Sequence, residues 1–89
     1  MGKKFLKDPD AVLDYETDWE DWLGTDTIST SSWTVPTGIT KDSDTNTTTT
    51  ATIWLSGGTA GTSYTLVNRI VTAGGRTEDR TITIVCQER

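Results

Sequence analysis

The side chains that could carry chemistry in this sequence are hydroxyls, lysines and one thiol. A serine or threonine nucleophile needs a general base, and the sequence has no histidine, the commonest one. The lysines that might replace it, Lys3, Lys4, Lys7 and Lys41, lie in segments predicted to be an arm or a loop. Cys86 has no base beside it in the sequence and is predicted to be a small core side chain. We therefore predict no nucleophilic catalysis.

Carboxylates are dense enough to raise a second kind of chemistry. Asp18, Glu20, Asp21 and Asp26 lie close together, and glycosidases place two carboxylates across a cleft. A sandwich of 89 residues leaves no wall for such a cleft. The acids are therefore predicted to form a solvated face or a docking surface for a basic partner, and the protein is predicted not to be an enzyme.

A metal site is the third possibility, and its pattern is incomplete. Residues 42–46 alternate oxygen-bearing side chains in the manner of a calcium loop. Thr47 stands in place of the loop glycine, however, and Ile53 in place of the bidentate glutamate. We predict a polar loop here, with no metal and no cofactor.

Four tryptophans in so short a chain are the most informative feature. They are Trp19, Trp22, Trp33 and Trp54. Tryptophan is enriched in the hot spots of protein interfaces and also stacks on sugars, so both interpretations remain open. Trp54 alternates with two aliphatic neighbours, which predicts a strand with one face on the core and the other on a partner. The predicted contact residues are Phe5, Leu6, Trp19, Trp22 and Trp54.

The composition of the chain limits the kinds of partner that it is expected to bind. The chain has 13 acidic and 8 basic residues, a net charge of -5, and a length sufficient for one domain. Nucleic-acid binding is disfavoured because it needs clustered lysine and arginine. No segment approaches the roughly 18 apolar residues of a membrane helix, and no secretory signal is seen. The chain divides into a basic arm at residues 1–9, with Phe5 and Leu6 as its apolar anchor, and one domain at residues 10–89.

Alternating patterns predict a mainly β protein. Threonine is frequent, and apolar residues recur at every second position in segments 52–55, 64–67 and 81–86. Segment 12–19 alternates too, although the spacing of Trp19, Trp22 and Leu23 also suits a helix. A strand followed by a helical turn over residues 20–23, closed by Gly24, reconciles the two patterns. Segment 28–35 is predicted as a further strand, and residues 73–79 as a hairpin loop.

Five or six strands at this spacing predict a small antiparallel β-sandwich with a short N-terminal arm, and the placement of Tyr64 suggests the immunoglobulin-like type. Tyr64 opens its strand just after the Gly-Thr-Ser of residues 61–63, as the corner tyrosine of such sandwiches does.

Several motifs, taken together, resemble a known family. The most specific is the segment 54–64, WLSGGTAGTSY, supported by Asp14-Tyr15, Asp18-Trp19 and Trp33. The chain resembles the small fibre–tail adaptor proteins of tailed phages over about residues 7–86. The resemblance implies a non-enzymatic virion protein with an immunoglobulin-like fold, assembled in the host cytoplasm and bound to tail, neck or fibre subunits. It supplies no catalytic residues.

A phage tail has cyclic symmetry, so self-association in a symmetric ring is expected, with sheet edges as natural joints between copies. The basic arm and the acids of segment 8–26 could pair between copies. Two alternatives stay open: a capsid decoration or cement protein with the same fold, and a carbohydrate-binding module that uses exposed tryptophan.

Overall fold

The computed structural model describes the backbone of residues 3–87 and the side chains of residues 5–87. Seven strands and one helical turn follow each other along the chain. They are β1 (Lys3–Lys7), β2 (Leu13–Asp18), α1 (Glu20–Leu23), β3 (Ile28–Thr34), β4 (Ile39–Asn46), β5 (Thr50–Gly57), β6 (Ser63–Thr72) and β7 (Thr77–Cys86). The prediction of a mainly β protein is confirmed.

The strands form two sheets that pack face to face. One sheet has the order β1-β7-β6-β3 and the other has the order β2-β5-β4. Apart from β1, the strand orders β7-β6-β3 and β2-β5-β4 match the G-F-C and B-E-D orders of an immunoglobulin sandwich. All pairs are antiparallel except β1 with β7, which is parallel. The predicted sandwich is confirmed, with one parallel pair added to it.

The segment predicted as a basic arm, residues 1–9, contains a strand over its described residues 3–7. Residues 3–7 pair with β7 along its second half, and the amide of Gln87 donates to the Lys7 carbonyl at 2.9 Å. Phe5 packs beside Tyr15 with their ring centroids 5.2 Å apart. Lys7 is buried, and its ammonium donates to the carbonyl of Gly57 at 2.6 Å. Residues 3–7 therefore belong to the sandwich as an edge strand.

Local sequence explains most element boundaries. The strand and the helical turn predicted for segment 12–23 are both present, and Gly24 ends the turn with a φ of 63°. Residues 42–46, predicted as a polar loop, instead belong to β4. This strand lies at a sheet edge, so most of its side chains face solvent and show no apolar alternation. The hairpin turn predicted at residues 73–79 is shorter, because β7 begins at Thr77.

The core lies between the sheets and contains the side chains that alternate inward from each strand. Its apolar residues with no measurable exposure are Ala51, Ile53, Leu55, Leu66, Ile70, Ile84 and Cys86. Tyr64 closes one end of this core, and its hydroxyl accepts a hydrogen bond from the Thr59 amide at 2.9 Å. That geometry is the corner predicted from the sequence. Gly38 leaves room for the Tyr64 ring, since a Cβ there would lie 3.0 Å from Cε1.

Candidate functional site: two outer sheet faces

Apolar side chains from both sheets pack together in the core, and most of the described charged side chains lie on the surface. In the part of the chain that the structure describes, no group of three or more potential metal ligands comes together. None of the described helical segments is long and apolar enough to cross a membrane. A shallow depression of about 420 Å³ is lined by Asp8, Asp10, Ala11 and Leu13 at the β1–β2 connection. The candidate surfaces are the outer faces of the two sheets.

Trp54 lies at the centre of the outer face of the three-stranded sheet. It projects from β5, the middle strand, and 40% of the side chain is exposed. In the strand register it lies between Asp14 on β2 and Ser43 on β4. Its neighbours Ile53 and Leu55 are buried, so the predicted core face of this strand is present, while the partner on the other face stays a prediction.

Acidic side chains lie on the two strands that flank Trp54. Alternation along β2 directs Asp14, Glu16 and Asp18 outward, and Asp42 on β4 accepts a hydrogen bond from the outward Ser56 hydroxyl at 2.9 Å. We call this surface the acidic face. It comprises Asp14, Glu16, Asp18, Asp42, Ser43, Thr52, Trp54 and Ser56. Among residues 5–87, no lysine or arginine side chain forms a salt bridge with any of its carboxylates.

The outer face of the four-stranded sheet has the opposite character, and we call it the neutral face. It presents hydroxyl and small apolar side chains together with one ion pair. Its members are Leu6, Thr30, Ser32, Thr34, Thr65, Val67, Arg69, Val71, Asp79, Thr81, Thr83 and Val85.

The single ion pair of the neutral face cancels its own charge. Arg69 holds Asp79 in two hydrogen bonds, Nε to Oδ1 at 2.7 Å and an Nη to Oδ2 at 3.0 Å. Hydrogen bonding and charge from Asp79 raise the pKa of Arg69, and the same contact lowers the pKa of Asp79. Both groups therefore stay ionised at neutral pH, and the face carries no net charge among its described side chains.

Trp19 and Trp22 lie at one end of the sandwich and have structural contacts. Trp19 is 1% exposed, and its Nε1 donates to the Asn68 side-chain oxygen at 2.9 Å. The two indoles meet edge to face at 5.5 Å between centroids. Arg76 covers the Trp22 ring at 4.3 Å, and Arg80 covers the Trp19 ring at 4.2 Å. Trp19 is thus a core residue and is no longer proposed as a partner contact.

Asp26 ties together the loops at that end of the sandwich. Its carboxylate accepts hydrogen bonds from the Gly74 amide at 3.0 Å and from Nε of Arg76 at 3.2 Å. Hydrogen bonds from the Thr72 hydroxyl and the Thr27 amide, then from Gly74 and Arg76, lower the pKa of Asp26 to about 2. Asp26 therefore holds these loops together through hydrogen bonds. It does not belong to the solvated or docking acidic face that the sequence suggested.

The hydrogen bonds of Asp26 predict how the stability of the fold depends on pH. The pKa of Asp26 is lower in the folded chain than its ordinary value of 3.8, so its stabilising effect is complete above about pH 4 and is lost as pH falls towards 2. We expect Asp26→Asn to lower the melting temperature at pH 7, and the difference from wild type to shrink below pH 4. Thermal unfolding measured from pH 2 to 7 tests this. Asp21→Asn, at an exposed acid of α1, is the matched control; equal curves for all three proteins would contradict the role of Asp26.

The predicted contact residues are therefore not brought together. Leu6 is 60% exposed on the neutral face, Trp54 lies on the acidic face, and Phe5 is partly buried against the core. Trp22 is half-buried under Arg76. Sequence reasoning missed the buried role of Asn68, whose only signal was one polar residue at an inward position between Leu66 and Ile70.

The fold is a small immunoglobulin-like sandwich with two contrasting outer sheet faces. A family model described as the podophage GP4 fiber-tail adaptor protein gp77 matches residues 7–85. The chain belongs to this family of phage structural proteins, and the resemblance predicted from the sequence is confirmed. Among curated proteins, none is significantly similar to the chain.

Proposed function

We propose that this protein is a non-enzymatic component of the virion that joins a tail or neck subunit to a fibre through its acidic face. The exposed indole of Trp54 at the centre of that face is the observation that carries the proposal. Interface hot spots combine a central aromatic anchor with a surrounding ring that excludes water. Trp54 has this placement, with carboxylates and hydroxyls around it.

The charge of the acidic face specifies the partner's chemistry. Asp14, Glu16, Asp18 and Asp42 give this surface a negative potential in a chain of net charge -5. A complementary partner presents lysine or arginine around an apolar pocket for the indole. Such a match speeds encounter and excludes acidic surfaces, and it weakens as salt increases. The partner in this proposal is therefore a basic surface on a tail, neck or fibre subunit.

The neutral face supports a second contact, between copies. Leu6 remains a candidate contact because it is exposed, and a ring of copies around the tail axis is the expected symmetry. Phe5 now has a packing role, so a Phe5→Asp, Leu6→Asp double variant would disturb folding as well as assembly. Leu6→Asp alone is the change that separates the two effects.

Carbohydrate binding is a weaker alternative. Sugar-stacking sites usually present aromatic rings to solvent, and of the four tryptophans only Trp54 is among the exposed large apolar residues. Quenching of its fluorescence by host polysaccharide would favour this alternative.

Locating the chain in intact particles tests the proposed function. Gold-tagged antibody against this chain is applied to purified virions, with particles that lack its gene as the control. We expect gold at the tail, where fibres attach. Gold over the capsid would replace the adaptor role with decoration of the shell. Absence of both gold and the chain's peptides in particle mass spectrometry would overturn the virion role.

A further inference from the structure

Four strands lie at sheet edges, and three of them are protected against pairing with another chain. Natural sheets protect their edges with charges, bulges or covering groups. β2 carries Asp14, Glu16 and Asp18. β4 carries charged residues and a shift of register between Lys41 and Ser43.

The edge of β1 is covered in another way. The Tyr15 hydroxyl donates to the Leu6 carbonyl at 3.1 Å, which occupies a backbone acceptor of this strand. The sequence of β1 also contains three lysines. β1 is therefore a poor site for adding a further strand.

β3 has neither charges nor a bulge along its regular part. Its Ser32 carbonyl does accept a hydrogen bond, at 3.0 Å, but the donor is the side-chain amide of Asn68 on β6, the strand with which β3 already pairs. The sequence of β3, ISTSSWT over residues 28–34, contains no charged residue and no proline. Pairing with β6 is regular from Thr30 to Thr34, and the register shift lies before it, between Ile28 and Thr30. The amide of Ile28 is already bonded to the Thr48 carbonyl at 2.9 Å, so the available stretch is centred on Ser32.

We propose that the β3 edge is a joint between two copies of this chain, which pair their β3 strands antiparallel about Ser32. This inference rests on the self-association included in the proposed function and specifies its contact. Ser32 would lie opposite the same residue of the second copy, and Thr30 opposite Thr34. This register keeps the outward side chains of both strands on one face. Hydroxyl pairs across antiparallel strands are favourable.

Charge favours a second copy at this edge. Copies of a chain with net charge -5 repel one another through their acidic faces. The β3 edge adjoins the neutral face, where the only charged side chains described are the paired Arg69 and Asp79. Two copies that meet here bring no unpaired like charges together, and the two neutral faces become one continuous surface. A two-fold joint makes pairs, so a larger ring would be built from pairs through another contact.

Complementary charges at Ser32 test this joint. Sedimentation equilibrium of the purified full chain is expected to show a concentration-dependent dimer. Ser32→Lys and Ser32→Glu each place like charges at the two-fold axis and are expected to weaken association on the order of 100-fold. An equimolar mixture of the two variants is expected to restore the dimer. Thr65→Lys, at an exposed position in the middle of the neutral face, is the matched control for charge.

The outcomes separate clearly, because far-ultraviolet circular dichroism reports whether each variant is folded. A wild-type chain that stays monomeric at millimolar concentration would overturn the joint. Folded Ser32 variants that dimerise like wild type, or a mixture that fails to recover, would overturn it as well. These measurements contain no tail or fibre protein, so their failure is distinguishable from failure of the adaptor role, which is scored on virions.

Discussion

Replacing Asn68 by leucine is expected to lower the free energy of unfolding by about 2–4 kcal/mol, although the leucine is apolar and of similar size. Asn68 is fully buried between the sheets and makes three hydrogen bonds. Its oxygen accepts from Trp19, and its amide donates to the Ser31 hydroxyl and the Ser32 carbonyl, both at 3.0 Å. Leucine would leave these buried groups without partners. The added apolar contact does not offset that cost.

A double-mutant cycle isolates the central bond of this network. Trp19→Phe removes the indole N–H while retaining an aromatic ring beside Trp22. We expect Asn68→Leu and Trp19→Phe together to destabilise less than the sum of the single changes, with a coupling of about 1–2 kcal/mol. Urea denaturation of the four proteins measures this. Thr65→Val, at an exposed position on the same strand, is the control and should change stability by less than about 0.5 kcal/mol.

Two outcomes would contradict the network. Unfolding of Asn68→Leu at the same urea concentration as wild type would mean that the hydrogen bonds of Asn68 make no net contribution to stability. Strict additivity of the two changes would mean that the Trp19–Asn68 bond at 2.9 Å does not couple Trp19 energetically to β6.

The network also shows why the sandwich was predictable while its internal contacts were not. Period-two patterns revealed β5, β6 and β7, because residues such as Leu66 and Ile84 alternate with polar neighbours. The tyrosine corner was predictable because it is local: the Tyr64 hydroxyl accepts its hydrogen bond from an amide five residues earlier in the chain. The partner of Trp19 lies 49 residues away on β6, and no local pattern in the sequence encodes that pairing.

The candidate site, too, has features that local sequence predicts and features that depend on non-local strand pairing. The exposure of Trp54 follows from alternation with Ile53 and Leu55, so the sequence was sufficient to place it on a surface. Its acidic surroundings depend on the pairing of β5 with β2 and β4, which is non-local. Trp19 is also a tryptophan, but it lies between β2 and α1, where its side chain is buried. Residue type alone therefore did not distinguish an interface anchor from a core anchor.

Trp54→Ala is expected to lower incorporation of the chain into virions roughly 30-fold, corresponding to a loss of about 2 kcal/mol or more of binding free energy. The side chain is 40% exposed on the outer face, so its removal should leave the fold intact. Quantitative mass spectrometry of purified particles that carry the variant gene measures incorporation. Val12→Ala, at a position 55% exposed outside both faces, is the matched control and should incorporate normally.

The acidic surroundings of Trp54 give this prediction a second, independent signature. Glu16→Gln removes one outward charge while retaining the side chain's shape, and is expected to weaken assembly only a few-fold. The effect of Glu16→Gln on assembly should decrease as the salt concentration rises, because exposed charges are screened beyond about 8–10 Å at physiological ionic strength. The loss at Trp54 should persist, since it arises from buried apolar area. Normal incorporation of folded Trp54→Ala would remove the acidic face from the adaptor joint, and loss of polysaccharide quenching in that same variant would identify Trp54 as a sugar contact.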